Sequence, residues 1–188
     1  HCTFQNSSPL FSINLGLFRI GTKYDIIFYW MNCFRGGDFV SKTEKVELTV
    51  LCLIHKDDKY LLQNRVKNDW KGLTLPGGHM ERNESVIDAV VREMKEETGL
   101  TIHNPKLCGI KQFPIEDGRY IVFLFRTNEF TGNVVSSDEG EMQWIHKSEL
   151  ENKNTVSDLP ELLQVMLTDE LTEFQYVIEN NSWNIVIK

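Results

Sequence analysis

Between Asn83 and Leu100 the chain commits to one element. Ile87, Val90, Val91 and Met94 recur at spacings of one, three and four, so that winding the segment at about 100° per residue gathers them into an apolar stripe. Asn83 is a suitable N-cap and Gly99 a suitable left-handed residue past the last turn, which predicts a helix at about Glu84 to Thr98. The same projection places Glu93, Glu96 and Glu97 on one side, beside Val90 and Met94 rather than opposite them. Carboxylates at helical spacing repel, and at the edge of a core water screens them poorly. On spacing alone two readings stand: a solvated acidic face, or a cluster that divalent cations occupy.

The flanks alternate differently. Val46 to Ile54 reads as a buried strand, Lys56 to Lys59 as a polar turn, and Tyr60 to Arg65 as the returning strand of a hairpin. Leu73 to Leu75 is a short strand that runs into the punctuated loop Pro76-Gly77-Gly78. Beyond the helix, Lys106 to Phe113 and Arg119 to Arg126 read as strands joined through Asp117-Gly118, and Glu141 to Ile145 as another. Leu159 to Leu167, with Pro160 in its first turn, predicts a second helix, and Phe174 to Ile178 with Trp183 to Ile187 a terminal hairpin. Strands on both sides of a helix imply an α/β sandwich, without repeats.

Residues 1–39 differ from this pattern. They hold nine of the 20 aromatic residues and show neither alternation nor helical period. Arg35-Gly36-Gly37-Asp38-Phe39-Val40 is compatible with codons that form a bacterial ribosome-binding sequence ahead of a GTG start. Residues 1–39 are therefore expected to be translated leader or a disordered extension outside the fold, with 40–188 as a single domain; a docking extension is the other reading.

The formal charge of −7 argues against a protein whose main business is gripping nucleic acid through a basic surface, since phosphate neutralisation needs clustered Lys and Arg. An anionic substrate would need a cation. Cys2, Cys33, Cys52 and Cys108 contain no C-x-x-C pair, so neither a zinc knuckle nor a redox dithiol is written here. Arg19, Lys23 and Asp25 interrupt the one stretch with any claim to a membrane span. A cytoplasmic protein without membrane or stable nucleic-acid partner is expected, as a monomer or homodimer.

Gly78 precedes Glu84 by six positions and Glu84 precedes Arg92 by eight, after which Arg92-Glu93-Met94-Lys95-Glu96-Glu97-Thr98-Gly99-Leu100 follows without a break. This resembles the signature G-x5-E-x7-R-E-U-x-E-E-x-G-U of the Nudix hydrolase family, with U an aliphatic residue, and every specified position is matched. The likeness runs from about Val46 to Trp144. It implies a Nudix-type α/β/α sandwich with a mixed central sheet, and hydrolysis of a diphosphate bond in a nucleoside diphosphate derivative with Mg2+ or Mn2+ and an attacking water.

By position in the motif, the resemblance implies Glu96 and Glu97 as principal metal ligands, Glu93 as ligand or as the base that activates water, and the Gly77 carbonyl as a further ligand. Arg92 is expected to clamp the carboxylates, with Glu84 and Gly78 holding the loop and helix start. A further carboxylate from a later loop falls on Glu139 first and Glu141 second, against the reading of an acidic surface turn. Arg65 resembles a phosphate-binding arginine, or is an exposed strand-end arginine. The stretch Trp70 to Glu81 looks most like the MutT-type branch, which cleaves oxidised purine nucleoside triphosphates such as 8-oxo-dGTP to the monophosphate and pyrophosphate and so sanitises the nucleotide pool. There Asn154 or Asp158 would read the base, although cap and turn roles explain both equally well. His79 is a candidate for phosphate or a solvated loop residue, and Trp70 and Phe113 for stacking on a base or for packing, which is favoured for Phe113. An ADP-ribose or nucleotide-sugar pyrophosphatase would use the same motif, as would a non-catalytic nucleotide-sensing domain, though such modules often lose a glutamate and none is lost here.

Overall fold

Five of the six positions from Thr49 to Ile54 are buried, with only Leu51 partly exposed, which requires a strand covered on both faces. That strand is the axis of the computed structural model, which describes residues 43–65, 71–137 and 140–188. The expectations placed on residues 1–39, on Trp70 and on Glu139 lie outside the described residues. In chain order the elements are β1 (Lys45–Lys56), β2 (Lys59–Arg65), β3 (Gly72–Thr74), β4 (Gly77–His79), α1 (Val86–Thr98), β5 (Thr101–His103), β6 (Lys106–Ile115), β7 (Gly118–Thr127), β8 (Glu129–Thr131), β9 (Gly140–His146), a 3-10 turn (Lys147–Asn152), α2 (Leu159–Leu167), β10 (Glu173–Glu179) and β11 (Ser182–Ile187).

The main sheet runs β11-β10-β6-β7-β1-β2-β3, with β4 against β1 and β9 against β2. It is mixed: β1 lies parallel to β7, and β10 to β6, while the remaining pairs are antiparallel. Alternation sorts the side chains. Val50, Cys52 and Ile54 of β1 join Phe125 of β7 and Ala89, Val90 and Met94 of α1 in one core. Leu53, with Val122 and Leu124, joins Leu159, Leu162, Val165 and Met166 of α2 in the other. One helix on each face makes the α/β/α sandwich, as expected. Among the described residues no helix is long and apolar enough to cross a membrane.

The hairpin forms, but its two strands pair only at the turn, His55 with Tyr60 and Lys56 with Lys59. Past that point β2 leaves β1 for β3 and β9. Its place beside β1 is taken by β4, where Thr49, Val50 and Leu51 face His79, Gly78 and Gly77. The expected glycine loop is thus partly a strand. The cleft of the candidate site is lined from both parted strands, by Thr49, Val50 and Leu51 of β1 and Gln63 and Arg65 of β2.

Helix α1 starts later than expected. Ser85 is the N-cap, its hydroxyl accepting from the Asp88 amide at 3.1 Å, whereas Asn83 has φ of 66° and belongs to the preceding turn. Ile87 is 48% exposed, so the stripe that reaches the core is Ala89, Val90 and Met94. Gly99 does end the helix in the left-handed region, at φ of 74°. Besides β4, three short elements escaped the sequence reading: β5 paired with β8, and the 3-10 turn. If Ser85 is the cap, Ser85→Ala lowers the unfolding free energy by about 1 kcal/mol in denaturant titration. Asn83→Gly, at a left-handed position, leaves it within about 0.5 kcal/mol; the reverse order would return the cap to Asn83.

Candidate active site

Arg92 projects from the middle of α1 into the turn before it. Its Nε donates to Glu84 Oε1 at 2.8 Å and its Nη2 to Glu84 Oε2 at 2.9 Å, a two-pronged pair. Nη1 donates to Glu93 Oε1 at 2.8 Å and to Glu96 Oε2 at 3.0 Å, and Nη2 also reaches the His79 carbonyl at 2.9 Å. Glu84 Oε2 in turn accepts from the Glu81 amide at 2.9 Å. A planar guanidinium supplies five donors in a fixed fork, which a lysine cannot imitate. Hydrogen bonding from Arg92, then from the Glu81 amide, holds the Glu84 carboxyl down to about 2, and the same pairing raises Arg92 above the ordinary arginine range.

Two glycines let the strand that follows Pro76 touch this acidic face. At Gly78 any Cβ would fall inside the Glu93 carboxylate, and at Gly77, with φ of 155°, it would collide with the Val50 carbonyl across the β1–β4 pair. The Gly77 amide donates to Glu97 Oε2 at 2.8 Å. Glu93 and Glu97 are each only 8% exposed, yet both line an open cleft of about 650 Å³. Buried charge facing a cleft, where water cannot disperse it, suits a site that takes up cations.

The cleft runs from Gly77, Gly78, Glu93 and Glu97 past Arg65, Gln63 and Thr74 to Lys111, Phe113 and Asp158. At that far end Lys111 and Asp158 form a buried ion pair. Tyr176 Oη donates to the same Asp158 oxygen at 3.0 Å, and the Lys111 ammonium lies 5.3 Å from the Phe174 ring centre and 5.6 Å from that of Tyr176. Burial and the neighbouring Asp158 carboxylate push the Tyr176 phenol above the usual tyrosine range. Phe113 stacks on Tyr120 with centroids 4.8 Å apart and planes 11° from parallel.

The site therefore gathers Gly77, Gly78, Glu93, Glu97, Arg65 and Asp158 around one cleft. It does not gather the others. Glu96 is exposed and meets Arg92 from the outer side, so the three glutamates do not close into a cage; among the described residues no three metal-ligating side chains converge on one point. Glu141 stands exposed on β9, accepts from Gln143 at 2.9 Å and is not a cleft residue. Asn154 is exposed and contributes its carbonyl to the Leu73 amide at 2.9 Å, which ties β3 down rather than meeting a ligand. Asp158 precedes α2 without capping it by its side chain, because Lys111 and Tyr176 claim the carboxylate. His79 shares a hydrogen bond with Tyr120 at 3.0 Å and lies 3.6 Å from Glu47, so it is more than a solvated loop residue. Sequence reasoning missed Lys111, Gln63, Tyr120 and Tyr176. Alternation along β6 placed Lys111 on the face of Phe113, a signal that was present but had no partner to point to. Burial also drives the Cys52 thiol above its ordinary range, as suits an inert core cysteine.

A family model for the NUDIX domain matches residues 45–166, and the chain belongs to the Nudix family. It is 43% identical over 107 residues to the uncharacterised Nudix hydrolase YvcI of Bacillus subtilis (strain 168), covering 54% of this chain and 66% of that protein. It is 41% identical over 90 residues to the ADP-ribose pyrophosphatase of Methanocaldococcus jannaschii, covering 46% and 53%. The chain thus spans about half to two thirds of these curated relatives. In three dimensions it resembles a MutT protein from Bacillus halodurans, with a TM-score of 0.61 at 30% identity, over 74% of this chain and 97% of the other.

Nudix hydrolases generally use divalent metal ions. The donor set here fits a hard cation: Glu93 and Glu97 offer carboxylate oxygens and Gly77 of β4 a backbone carbonyl, with no sulfur in the cleft lining and the His79 imidazole there engaged with Tyr120. Magnesium is commonly held by one or two carboxylates, with water and substrate phosphate completing its shell, so a closed protein cage is not required.

Two tests follow from this geometry. Glu84 carries its charge in both folded and unfolded chains above about pH 4.5, so the Arg92 pair contributes fully there and fades as pH falls towards about 2. Glu84→Gln therefore lowers the melting temperature at pH 7, and the gap to the parent closes progressively below pH 4.5; a constant gap would deny the pair its role. Lys111→Met strands the Asp158 carboxylate in the core and lowers the unfolding free energy by about 3 kcal/mol, while Lys111→Met with Asp158→Leu recovers most of that loss.

Proposed function

We propose that this chain is a metal-dependent hydrolase of a nucleoside triphosphate, releasing the nucleoside monophosphate and pyrophosphate, with an oxidised purine such as 8-oxo-dGTP as substrate. The single observation that carries this reading is the continuity of the cleft, whose lining joins the acidic, glycine-rich set Gly77, Gly78, Glu93 and Glu97 to the aromatic and polar set Phe113, Tyr120, Lys111 and Asp158. The likeness to a MutT protein at 30% identity supports the nucleotide-pool role.

Glu97 and the Gly77 carbonyl are assigned to hold the metal, with Glu96 as a further ligand once it turns from the outer side of Arg92 towards the cleft, and Glu93 to ligate it or take the proton from the attacking water. Bound metal supplies charge neutralisation at the diphosphate and lowers the pKa of that water. Arg92 holds Glu93 and Glu96 in place and does not touch substrate. Arg65, at the end of β2 with its buried Nε unpartnered, binds a phosphate oxygen. Asp158, fixed by Lys111 and Tyr176, accepts from a base N–H. A carboxylate from Glu139 remains the assigned further ligand or base. Water attacks phosphorus, the bond to the bridging oxygen breaks, and pyrophosphate leaves.

The relative named ADP-ribose pyrophosphatase favours a second reading, in which the same cleft takes ADP-ribose and releases AMP and ribose 5-phosphate. A panel of nucleoside triphosphates, 8-oxo-dGTP and ADP-ribose with Mg2+, with products identified, separates the two; pyrophosphate release from 8-oxo-dGTP at the highest kcat/KM is the expected outcome, and no release from any member would overturn the hydrolase reading. Glu97→Gln should lower kcat by about 100-fold or more without lowering the melting temperature, since it relieves repulsion in a crowded acidic site. A variant with parental kcat would remove Glu97 from the ligand set.

A further inference from the structure

Gln63 sits on β2 opposite Thr74 of β3 and Met142 of β9. Its strand neighbours Leu61 and Leu62 are fully buried, and Gln63 itself is 3% exposed, a position where an aliphatic side chain would serve the fold. Instead it carries an amide whose Nε2 is buried and has no hydrogen-bond partner, and it lines the cleft. Buried polar groups are nearly always paired, and leaving a donor unpaired is unfavourable. An orphaned donor in the wall of a ligand cleft marks where a ligand acceptor belongs.

The surroundings say which part of a ligand. Thr74, the partner of Gln63, adjoins Leu73, which bridges to Thr155 and accepts from the Val156 amide at 3.0 Å. That segment leads directly to Asp158, and Gln63, Val156 and Asp158 line the same cleft. The acidic residues Glu93 and Glu97 and the glycine strand line it too. A phosphate is best met by a cation, and Arg65, two residues along the same face of β2, provides one. A neutral amide in a cleft whose lining also includes Leu75, Val156 and Leu162 matches a neutral acceptor on a planar ring.

We propose that Gln63 is a specificity-determining residue whose Nε2 donates to a carbonyl oxygen or ring nitrogen on the edge of the substrate's base. This rests on the nucleotide-hydrolase reading above. Removing the donor withdraws a contact made by the base alone, so sugar and phosphate binding are untouched. Because the donor is unpaired in the free protein, its removal does not weaken the fold.

Gln63→Met, of similar length and apolar, tests both consequences against the parent chain with Mg2+. For the best purine nucleotide kcat/KM should fall by about tenfold or more, mostly through KM, while base-free ribose 5-triphosphate is cleaved within about twofold of the parental rate. The melting temperature should hold or rise. Calorimetry with purine nucleoside monophosphates, without metal, should show the same loss in affinity. Unchanged kcat/KM for the purine nucleotide, or an equal loss on ribose 5-triphosphate, would overturn the assignment, as would a lowered melting temperature with losses on every substrate. If the parent chain cleaves nothing in the panel, the hydrolase reading fails by itself; the Gln63 assignment then survives if the parent binds a purine monophosphate and the variant binds it about tenfold more weakly, and falls if the two bind alike.

Discussion

A helix that places glutamates at positions 93, 96 and 97 beside its apolar stripe is poorly suited to stand alone, and the guanidinium of Arg92 is what makes it workable. One planar group meets Glu84, Glu93, Glu96 and the His79 carbonyl together. It thereby joins the helix to the turn before it and to β4. Glu93 can then lie flat against Gly78, and Glu97 can accept from Gly77, only because those strand residues lack a Cβ. Charge repulsion within the helix, hydrogen bonding across the loop and the two glycines are one arrangement: removing the cation would leave carboxylates crowded against a backbone that has no other reason to approach them.

The cleft itself is a product of strand pairing. A hairpin whose strands stayed together would bury β2 against β1 along its length. Here the β1–β2 pairing stops two residues from the turn, and β4 fills the vacancy beside β1. The face of β2 that begins with Leu61 in the α1 core therefore continues, two and four residues on, as Gln63 and Arg65 in the cleft wall. In the same cleft lining Lys111 and Asp158 are buried as a pair, with Tyr176 completing the hydrogen bonding of the carboxylate. Such a pair is seldom the most stable filling for a core, but it fixes the direction of a carboxylate at a pocket's end.

Much of this was legible because it is local. The 3.6-residue period exposed α1 and the relation of its glutamates to the core, and the left-handed demand after the helix singled out Gly99. The start was misread between Asn83 and Ser85, two good caps with Glu84 between them. The choice is made by Glu84, which must stay outside the helix to reach Arg92 and the Glu81 amide. The Gly77–His79 strand was hidden because glycine has low strand propensity; pairing with β1 imposes that conformation from outside. The Lys111–Asp158 pair spans 47 residues and leaves no periodic trace. Asn154 and Asp158 looked alike as turn residues, and only the packing of α2 against β6 separates the exposed one from the buried one.

The cleft's electrostatics bear on why a nucleotide polyphosphate would need accompanying cations. The chain is acidic, with a formal charge of −7. Within the site, Arg92 is shared among three carboxylates and the Lys111 charge is matched by Asp158. Neither is left over to balance phosphate. Glu93 and Glu97 add negative charge where exposure is low and screening weak, and among the described cleft residues Arg65 does not offset both. A triphosphate carried to this end of the cleft meets net repulsion unless divalent cations lie between its oxygens and those of the glutamates. The crowding that looks unfavourable in the helix is, on this view, what couples substrate binding to metal: each anionic partner is tolerable only in the presence of the cations that the other helps to hold.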